Sequence, residues 1–155
     1  MSAVRFVADS MLGRLARWLR ALGYDTVYLR HARDVELLRI ARQEGRVLLT
    51  RDTRLARTAR AQGLLIQTEG LDAQLREVVA ALGPSGGELL SRCLDCNTPL
   101  EARAREEVVG LVPAYTLETQ SEFYGCPGCG KVFWPGSHAD RILARLRPLV
   151  EDPPR

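Results

Sequence analysis

The sequence predicts an α/β fold with a mainly parallel sheet, followed by a small segment organised around cysteines. Three observations support this prediction. Short apolar runs alternate with helix-like segments over residues 1–83, two C-x-x-C pairs follow them, and the glycine-rich stretch "GPSGGE" separates the two regions. Alternating strands and helices are typical of a parallel sheet with helices packed on both faces and right-handed crossovers.

Four short apolar strands are predicted in the first region, at residues 5–8, 26–29, 47–50 and 64–68. Each is bounded by polar residues or glycine, as buried strands usually are. The simplest strand order is 2-1-3-4, which places strands one and three side by side at the point where the sheet reverses its direction of growth. Open α/β folds bind their ligands at that point, at the carboxyl ends of the strands.

Four helices are predicted between and after these strands. The first carries Leu12, Leu15 and Leu19 on one face, the spacing that buries one side of a helix. A further helix is predicted near residues 139–146, close to the end of the chain. Glycine is the usual residue at a helix C-terminus, and each of the first four helices ends at one. These glycines are Gly23, Gly45, Gly63 and Gly83.

The composition is that of an ordinary globular protein. It is 46% hydrophobic and 26% charged, which argues against disorder. No apolar run approaches the roughly 18 residues of a membrane span, and the N-terminus lacks a signal-peptide pattern. We therefore expect a cytoplasmic protein without a membrane partner.

The two regions differ in charge. Residues 1–83 contain 14 arginines and 9 acids, and residues 84–155 contain 8 basic residues and 10 acids, so the net charges are +5 and −2. The basic first region is compatible with nucleic-acid binding but does not require it. We predict a domain boundary within residues 83–88, giving an α/β domain at 1–83 and a cysteine-containing domain with its closing helix at 88–147.

The cysteines form two knuckles, "CLDC" and "CPGC", with 29 residues between them. Two C-x-x-C pairs suit a tetrahedral zinc site, because each tight turn directs two thiolates at one ion. The expected ligands of a structural zinc ion are Cys93, Cys96, Cys126 and Cys129. The alternative is two disulfides or two redox pairs, which would be unusual in a cytoplasmic chain.

Three aspartates are predicted at one edge of the sheet. Asp9 and Asp52 follow strands one and three, and Asp34 lies at the expected N-cap of the second helix. Each alone is explained as an ordinary helix cap. Together, three carboxylates at one edge repel one another unless a cation intervenes, and an all-oxygen site suits Mg²⁺ or Mn²⁺.

Arginines near this edge are candidates for binding phosphate groups. Each is equally explained as part of a solvated helix face. A metal-bound water attacking a phosphodiester would fit this combination of acids and arginines. The candidates are Arg14, Arg17, Arg51 and Arg54.

Four segments of the sequence resemble a known family. The segments "FVADSMLGRLARWLRALGYDT", "DVELLRIARQEGRVLLTRD", "CLDC" and "CPGCGKVFWPGSHADRI" are similar, in this order, to the PIN-like ribonuclease domain with a zinc ribbon found at the C-terminus of the Mut-seven exoribonuclease. The resemblance implies a PIN-like three-layer fold and metal-dependent hydrolysis of single-stranded RNA by clustered acids. It carries the catalytic role to Asp9, Asp34 and Asp52.

The resemblance is incomplete at one position. Many PIN domains hold a further acid, and Asp25 is the candidate between strand one and Asp34, where it looks wrongly placed. Glu69, Asp72 or water are the remaining candidates for a fourth ligand. His138, in the family-like segment "GSHADR", is predicted to reach the RNA from the ribbon.

Two other functions stay open. A receiver-like signalling domain would also hold magnesium beside acids, and Asp52 would be its phosphorylated residue. Such a domain needs a lysine after a fifth strand. The only lysine of this sequence is Lys131, beside Cys129. A catalytically weak RNA-binding domain would use the arginines and the ribbon without cutting.

Overall fold

The computed structural model describes residues 3–85 and 87–154, so that Met1, Ser2, Gly86 and Arg155 lie outside the described residues. A four-stranded parallel sheet with helices on both faces is followed by a three-stranded antiparallel sheet and a long helix. The predicted α/β fold with a parallel sheet is confirmed.

The first region contains β1 (Phe6–Ala8), α1 (Gly13–Ala21), β2 (Thr26–Tyr28), α2 (Asp34–Glu44), β3 (Val47–Thr50), α3 (Thr53–Ala59), β4 (Gly63–Leu65) and α4 (Leu71–Leu82). The second contains β5 (Glu101–Arg103), α5 (Ala114–Thr119), β6 (Phe123–Gly125), β7 (Val132–Phe133) and α6 (Ser137–Glu151). Short 3₁₀ turns occupy Ser10–Leu12, Arg60–Gln62 and Arg105–Val108.

The strand order of the parallel sheet is β2-β1-β3-β4, as predicted. In the register of the two central strands, Ala8 pairs with Leu49. The residues that follow β1 and β3 therefore emerge next to each other at the carboxyl edge of the sheet. This adjacency is what brings the candidate site together.

The sheet buries both of its faces. Phe6, Ala8 and Leu49 pack with α1, α4 and α6 on one side. Val7 and Leu48 pack with α2 and α3 on the other side. Neighbouring residues of one strand point to opposite faces, so both alternate sets of side chains must be apolar. This explains why the strands read as continuous apolar runs.

The third helix and fourth strand are shorter than predicted. We expected the helix to reach Gly63 and the strand to cover 64–68, but α3 ends at Ala59 and β4 ends at Leu65. Arg60 adopts φ 56° and ψ −128°, which a helix cannot accommodate. Beyond β4, the carboxylate of Glu77 accepts hydrogen bonds from the next backbone N–H groups and so replaces the strand ladder.

The stretch between the two regions is held against α1. Ser85 donates a hydrogen bond to the carbonyl of Leu22, and the backbone N–H of Leu90 donates to Ala21. Gly23, with φ 97°, lies so close to this stretch that a Cβ there would stand 2.9 Å from the carbonyl carbon of Gly87. The predicted boundary at 83–88 includes Gly86, which lies outside the described residues, and it contacts the end of α1 through Ser85 and Gly87.

The last helix is longer than the predicted 139–146 and belongs to the main core. It extends through Pro148 to Glu151, and Ile142, Leu146 and Leu149 are buried among the residues of α1 and α4. The division into domains at 1–83 and 88–147 stays a prediction.

Within the described part of the chain, none of the helices combines the length and apolar character that a bilayer span needs.

A buried arginine ties together the amino ends of the strands. Arg46 is 6% exposed, and its guanidinium donates 2.7 Å to the carboxylate of Asp25 and 3.2 Å to the carbonyl of Phe6. It also donates 2.9 Å to the carboxylate of Glu44. Asp25 accepts a further bond of 2.7 Å from the side-chain amide of Asn97 in the first cysteine knuckle. One ion pair therefore connects three strands to the second region.

We expect Arg46→Met to lower the free energy of unfolding by roughly 3–5 kcal/mol, because it leaves the carboxylate of Asp25 poorly solvated and without its charged partner. Chemical denaturation measures this change. The exposed Arg39→Met on α2 is the control, with an expected change within about 0.5 kcal/mol. A small effect of Arg46→Met, equal to that of the control, would contradict a structural role for the pair.

The same pair predicts a pH dependence. Burial raises the pKa of Asp25, but hydrogen bonds from Arg46 and Asn97 outweigh it, so that the pKa lies below its ordinary value. A lowered folded-state pKa stabilises the protein above the unfolded-state pKa of about 3.9, and this stabilisation is lost as the pH falls through the folded-state pKa. The stability difference between the wild type and Asp25→Asn should be constant near neutral pH and shrink in acid. A difference that grows in acid would refute this assignment.

Candidate functional site

The carboxyl edge of the parallel sheet carries a connected set of polar groups. Asp9 follows β1 directly and Asp52 follows β3 by one residue. Because these strands are neighbours, the two aspartates lie on adjacent connections. Their link is Thr50, the last residue of β3.

Asp9 is the buried member of this set, with 8% of its surface exposed. Its Oδ1 accepts a hydrogen bond of 2.7 Å from the backbone N–H of Ser10, and its Oδ2 accepts one of 2.8 Å from the hydroxyl of Thr50. No described basic side chain forms an ion pair with it. The hydroxyl of Ser10 also donates to Oδ1, at 3.3 Å. Neutral donors therefore fix the orientation of this carboxylate without neutralising its charge.

Thr50 connects the two aspartates, and the sequence analysis missed it. Its hydroxyl donates to Oδ2 of Asp9 and accepts a hydrogen bond of 3.0 Å from the backbone N–H of Asp52. The side chain is fully buried. The sequence feature that could have identified Thr50 is its hydroxyl at the end of the apolar run "VLLT", because a buried polar group needs hydrogen-bond partners.

Asp52 is exposed and caps α3. Its Oδ1 accepts hydrogen bonds of 2.8 Å from the backbone N–H of Arg54 and 3.3 Å from that of Leu55. Both of these bonds use one oxygen, and they satisfy N–H groups that a helix start otherwise leaves unpaired. The cap explains the position of Asp52, and it is compatible with a second role for the other oxygen.

Asp34 occupies a different position from the one expected. It is the first residue of α2, and the N-cap is Arg33, without a side-chain cap bond. The expectation that Asp34 is the cap residue is wrong by one position, because the chain enters the helix from an extended Arg33. Asp34 is exposed on the connection after β2, the strand next to β1.

The three aspartates share an edge but do not form a compact cluster. Among the described residues, the group of three or more candidate ligands with donor atoms within 4.8 Å of one another is the set of four cysteines. The catalytic assignment of Asp9, Asp34 and Asp52 stays a prediction. The contacts join Asp9 to Asp52, while Asp34 is linked to them only by the strand order.

The other acids considered from the sequence have partners elsewhere. Asp25 precedes β2, so it lies at the amino edge of the sheet, opposite the three aspartates. Asp72 pairs with Arg145 at 2.6 Å, and Glu69 lies 3.9 Å from Arg51. Because of these partners, water is the simplest candidate for any further ligand beside Asp9.

The predicted phosphate-binding arginines divide into two groups. Arg14, on the first turn of α1, and Arg54, on the first turn of α3, are exposed near the carboxyl edge. Arg17 instead pairs with Asp95 in the first knuckle, and Arg51 donates to the carbonyl of Thr68. Two of the four guanidinium groups are therefore engaged in contacts within the protein.

His138 is exposed in the first turn of α6. Two turns further along this helix, Arg145 bonds with Asp72 at the start of α4 and lies 4.9 Å from the ring centroid of Trp18. His138 therefore lies about 10 Å from this contact along the helix axis. Contact between His138 and RNA stays a prediction, without support from these contacts.

The four cysteines come together as the spacing predicts. All four sulfur atoms lie within 4.8 Å of one another, and none is in a disulfide. The separations are 3.7 Å for Cys93 and Cys129 and 3.1 Å for Cys96 and Cys126. Four thiolates around one zinc ion with bonds of about 2.3 Å would be separated by roughly 3.8 Å. The thiols therefore form a site that can hold a metal ion.

The backbone of each knuckle is shaped for this purpose. Asn97 and Gly130, which follow the second cysteine of each pair, adopt φ values of 71° and 79°. Their N–H groups donate to the carbonyls of Cys93 and Cys126 and close the turns. Left-handed backbone is tolerated by asparagine and glycine, as expected from the sequence.

The thiols differ in their ionisation. Burial raises the pKa of Cys93 to about 12, while a hydrogen bond with Thr98 lowers the pKa of Cys96 to about 6. Only thiolates ligate metals, so that binding at this site must displace a proton from Cys93.

The first knuckle is docked on the parallel sheet. The buried guanidinium of Arg20 donates 2.9 Å to the carbonyl of Thr26 in β2 and 2.9 Å to that of Leu94 in the knuckle. The side chain of Asn97 accepts a bond of 2.9 Å from the N–H of Thr26. The first knuckle therefore packs at the amino end of β2, away from the carboxyl edge that carries Asp9 and Asp52.

Comparisons with known proteins agree with a nuclease. The family model of the Mut7-C RNAse domain matches residues 4–146. The chain is 26% identical over 233 residues to the exonuclease mut-7 homolog of Homo sapiens, an alignment that covers 98% of this chain and 26% of that protein. The chain thus spans about a quarter of the length of that relative. No solved structure matches.

Proposed function

The chain belongs to the Mut7-C RNAse domain family, and from this membership we propose that it is a metal-dependent ribonuclease that hydrolyses phosphodiester bonds in single-stranded RNA. In this proposal residues 1–83 form a PIN-like catalytic domain, and residues 88–147 form a zinc ribbon with its closing helix. A cytoplasmic location, predicted from the sequence, is part of the same proposal.

One observation carries this proposal: the hydroxyl of Thr50 joins Asp9 and Asp52 at the carboxyl edge of the sheet. A buried carboxylate with a fixed orientation and no described cation beside it supplies concentrated negative charge. Open α/β sheets bind ligands at this edge, where neighbouring strands diverge. The geometry therefore supports a cation-dependent reaction at Asp9.

The donors suit a hard divalent cation. Mg²⁺ usually keeps several waters and is held in proteins by one or two carboxylates, so Asp9 and Asp52 suffice to hold Mg²⁺ or Mn²⁺, with Asp34 as a further candidate. When bound, such an ion supplies a more acidic water and neutralises charge on the phosphate. Thr50 would hold Asp9 in place, and the exposed Arg14 and Arg54 would bind neighbouring phosphates.

The alternative functions are less well supported. A receiver-like domain needs a lysine after a fifth parallel strand, but the parallel sheet of the described chain has four strands, and Lys131 pairs with Asp95 in the ribbon. A catalytically weak RNA-binding domain is favoured by one observation: the donor atoms of the three aspartates do not all lie within 4.8 Å of one another. Cleavage assays separate it from the proposed nuclease.

We expect Asp9→Asn to reduce metal-dependent cleavage of labelled single-stranded RNA by roughly 100-fold or more, because the substitution keeps the size of the side chain and removes its charge. Circular dichroism should show a folded protein. Asp140→Asn, at an exposed position of α6, is the matched control and should cleave normally. If Asp9→Asn cuts RNA at the wild-type rate, the site lies elsewhere. If acetyl phosphate labels Asp52 of the wild type and no RNA is cut, the receiver-like function is favoured.

Thr50→Val should reduce cleavage by about 10- to 100-fold, because the carboxylate of Asp9 loses the donor that orients it. Stability should fall by about 1–3 kcal/mol, since the buried Oδ2 is left without its partner. Thr50→Ser keeps the hydroxyl and should restore most of the activity. If the serine and valine variants have equal activity, the hydroxyl has no role in orienting Asp9.

We further propose that the cysteine site holds one structural zinc ion, since four thiolates complete a tetrahedral coordination sphere. Elemental analysis should find about one zinc per chain in the wild type and none in Cys126→Ser. The exposed Tyr115→Ser in the same region should retain its zinc. A reduced wild-type protein without zinc, or disulfide-bonded knuckles, would refute the assignment.

A further inference from the structure

An open surface pocket of about 630 Å³ lies at the far end of α3 from Asp52, and its lining is basic. We call it the arginine cavity. Its lining includes three guanidinium groups, and it contains no described acidic residue. The arginines come from the last turn of α2, the last turn of α3 and the 3₁₀ turn that follows α3. They are Arg42, Arg57 and Arg60.

The three guanidinium groups have no described carboxylate as an ion-pair partner. The acid closest in sequence to Arg42 is Glu44, whose carboxylate accepts from the guanidinium of Arg46. Other arginines of the described chain, such as Arg39 and Arg76, also have no ion-pair partner. What distinguishes the three arginines of the cavity is that they line one pocket without a described acid. The cavity therefore holds positive charge that the protein itself does not neutralise.

Arg60 provides a second, independent observation. Its φ of 56° and ψ of −128° belong to a conformation that glycine adopts easily and that strains an L side chain. Helix dipoles favour basic residues in the last turns, which accounts for Arg42 and Arg57 taken singly. The dipole does not account for an arginine in a position suited to glycine. Strained residues of this kind concentrate at functional sites.

The position of the arginine cavity relates it to the candidate active site. Helix α3 begins beside Asp52 and has seven residues, so its far end is about 10 Å away along the axis. Arg54 and Arg57 are three residues apart and are therefore neighbours on the helix surface. Phosphates of a stacked strand are about 3.4 Å apart along its axis, so roughly three nucleotides would cover this distance.

We propose that the arginine cavity binds backbone phosphates of single-stranded RNA, guiding along α3 the strand that is cut at Asp9. This inference rests on the proposed ribonuclease function for the identity of the ligand. Guanidinium groups form paired, charge-assisted hydrogen bonds with phosphate, which suits them to this ligand more than to a neutral one. Binding here would be independent of sequence, because the cavity contacts phosphates and not bases.

The test measures binding of a fluorescent oligouridylate by anisotropy, in the Asp9→Asn background and without divalent cations, so that cleavage plays no part. The cavity variant combines Arg42→Gln, Arg57→Gln and Arg60→Gln. The control variant, with the same change in net charge, substitutes Gln for three exposed arginines of α4 and α6. These are Arg76, Arg141 and Arg147.

We expect the cavity variant to lose roughly 10- to 100-fold in affinity at low salt, and the slope of log affinity against log salt to fall by about 2, as expected for three lost phosphate contacts. The control variant should stay within about threefold of the parent. Equal losses in both variants would reduce the effect to net charge and overturn the proposal. Wild-type affinity in the cavity variant would overturn it as well.

Two further measurements separate the alternatives. Arg60→Gly relieves the backbone strain, so it should keep or raise the melting temperature while weakening RNA binding, whereas a purely structural arginine would leave RNA affinity unchanged. Pyrophosphate titrated by calorimetry tests a small-anion site, and arginine-dependent pyrophosphate binding without a loss of RNA binding would overturn the RNA assignment. If the wild type binds RNA through these arginines but does not cut it, the proposed ribonuclease activity is refuted. The proposed RNA binding by the arginine cavity is then retained.

Discussion

The architecture depends on the ion pair between Arg46 and Asp25 at the amino edge of the sheet. The guanidinium is buried, and it reaches the carbonyl of Phe6 as well as the carboxylate of Asp25. An arginine removed from water is stable only when its donors are satisfied, so these groups must stay in place. Because Asn97 shares the same carboxylate, the pair also fixes where the cysteine knuckle sits.

Docking the knuckle at the amino edge gives the two ends of the sheet different roles. Arg20 and Asn97 fill the amino edge with contacts between the two regions. The carboxyl edge holds the buried Asp9 and the exposed Asp52. The contacts of the first knuckle with the sheet lie at this amino edge, and the contact of His138 with RNA that the sequence suggests stays a prediction. Loosening of the knuckle would remove the hydrogen bond from Asn97 to Asp25, the carboxylate that pairs with Arg46.

The candidate site combines rigidity with unneutralised charge. Thr50 holds Asp9 from the neighbouring strand, and the helix cap holds Asp52. Positive charge without a described acidic partner lies at the other end of α3, in the arginine cavity. In the proposed function, a polyanion that spans this helix would meet cationic groups at one end and the proposed site at Asp9 and Asp52 at the other. Membership in the Mut7-C RNAse domain family is consistent with such a substrate.

The sequence by itself determined the features that depend on local chemistry. Apolar runs, glycine stops and C-x-x-C turns are short-range patterns, and they predicted the parallel sheet and the cysteine cluster. The strand order followed as the simplest arrangement of four such strands. Only the tertiary structure decided the contacts between distant segments. The hydroxyl link through Thr50, the pairing of Arg17 with the knuckle and the packing of α6 on the main core join residues far apart in the chain. Such contacts depend on how whole helices and strands pack, which no local pattern encodes.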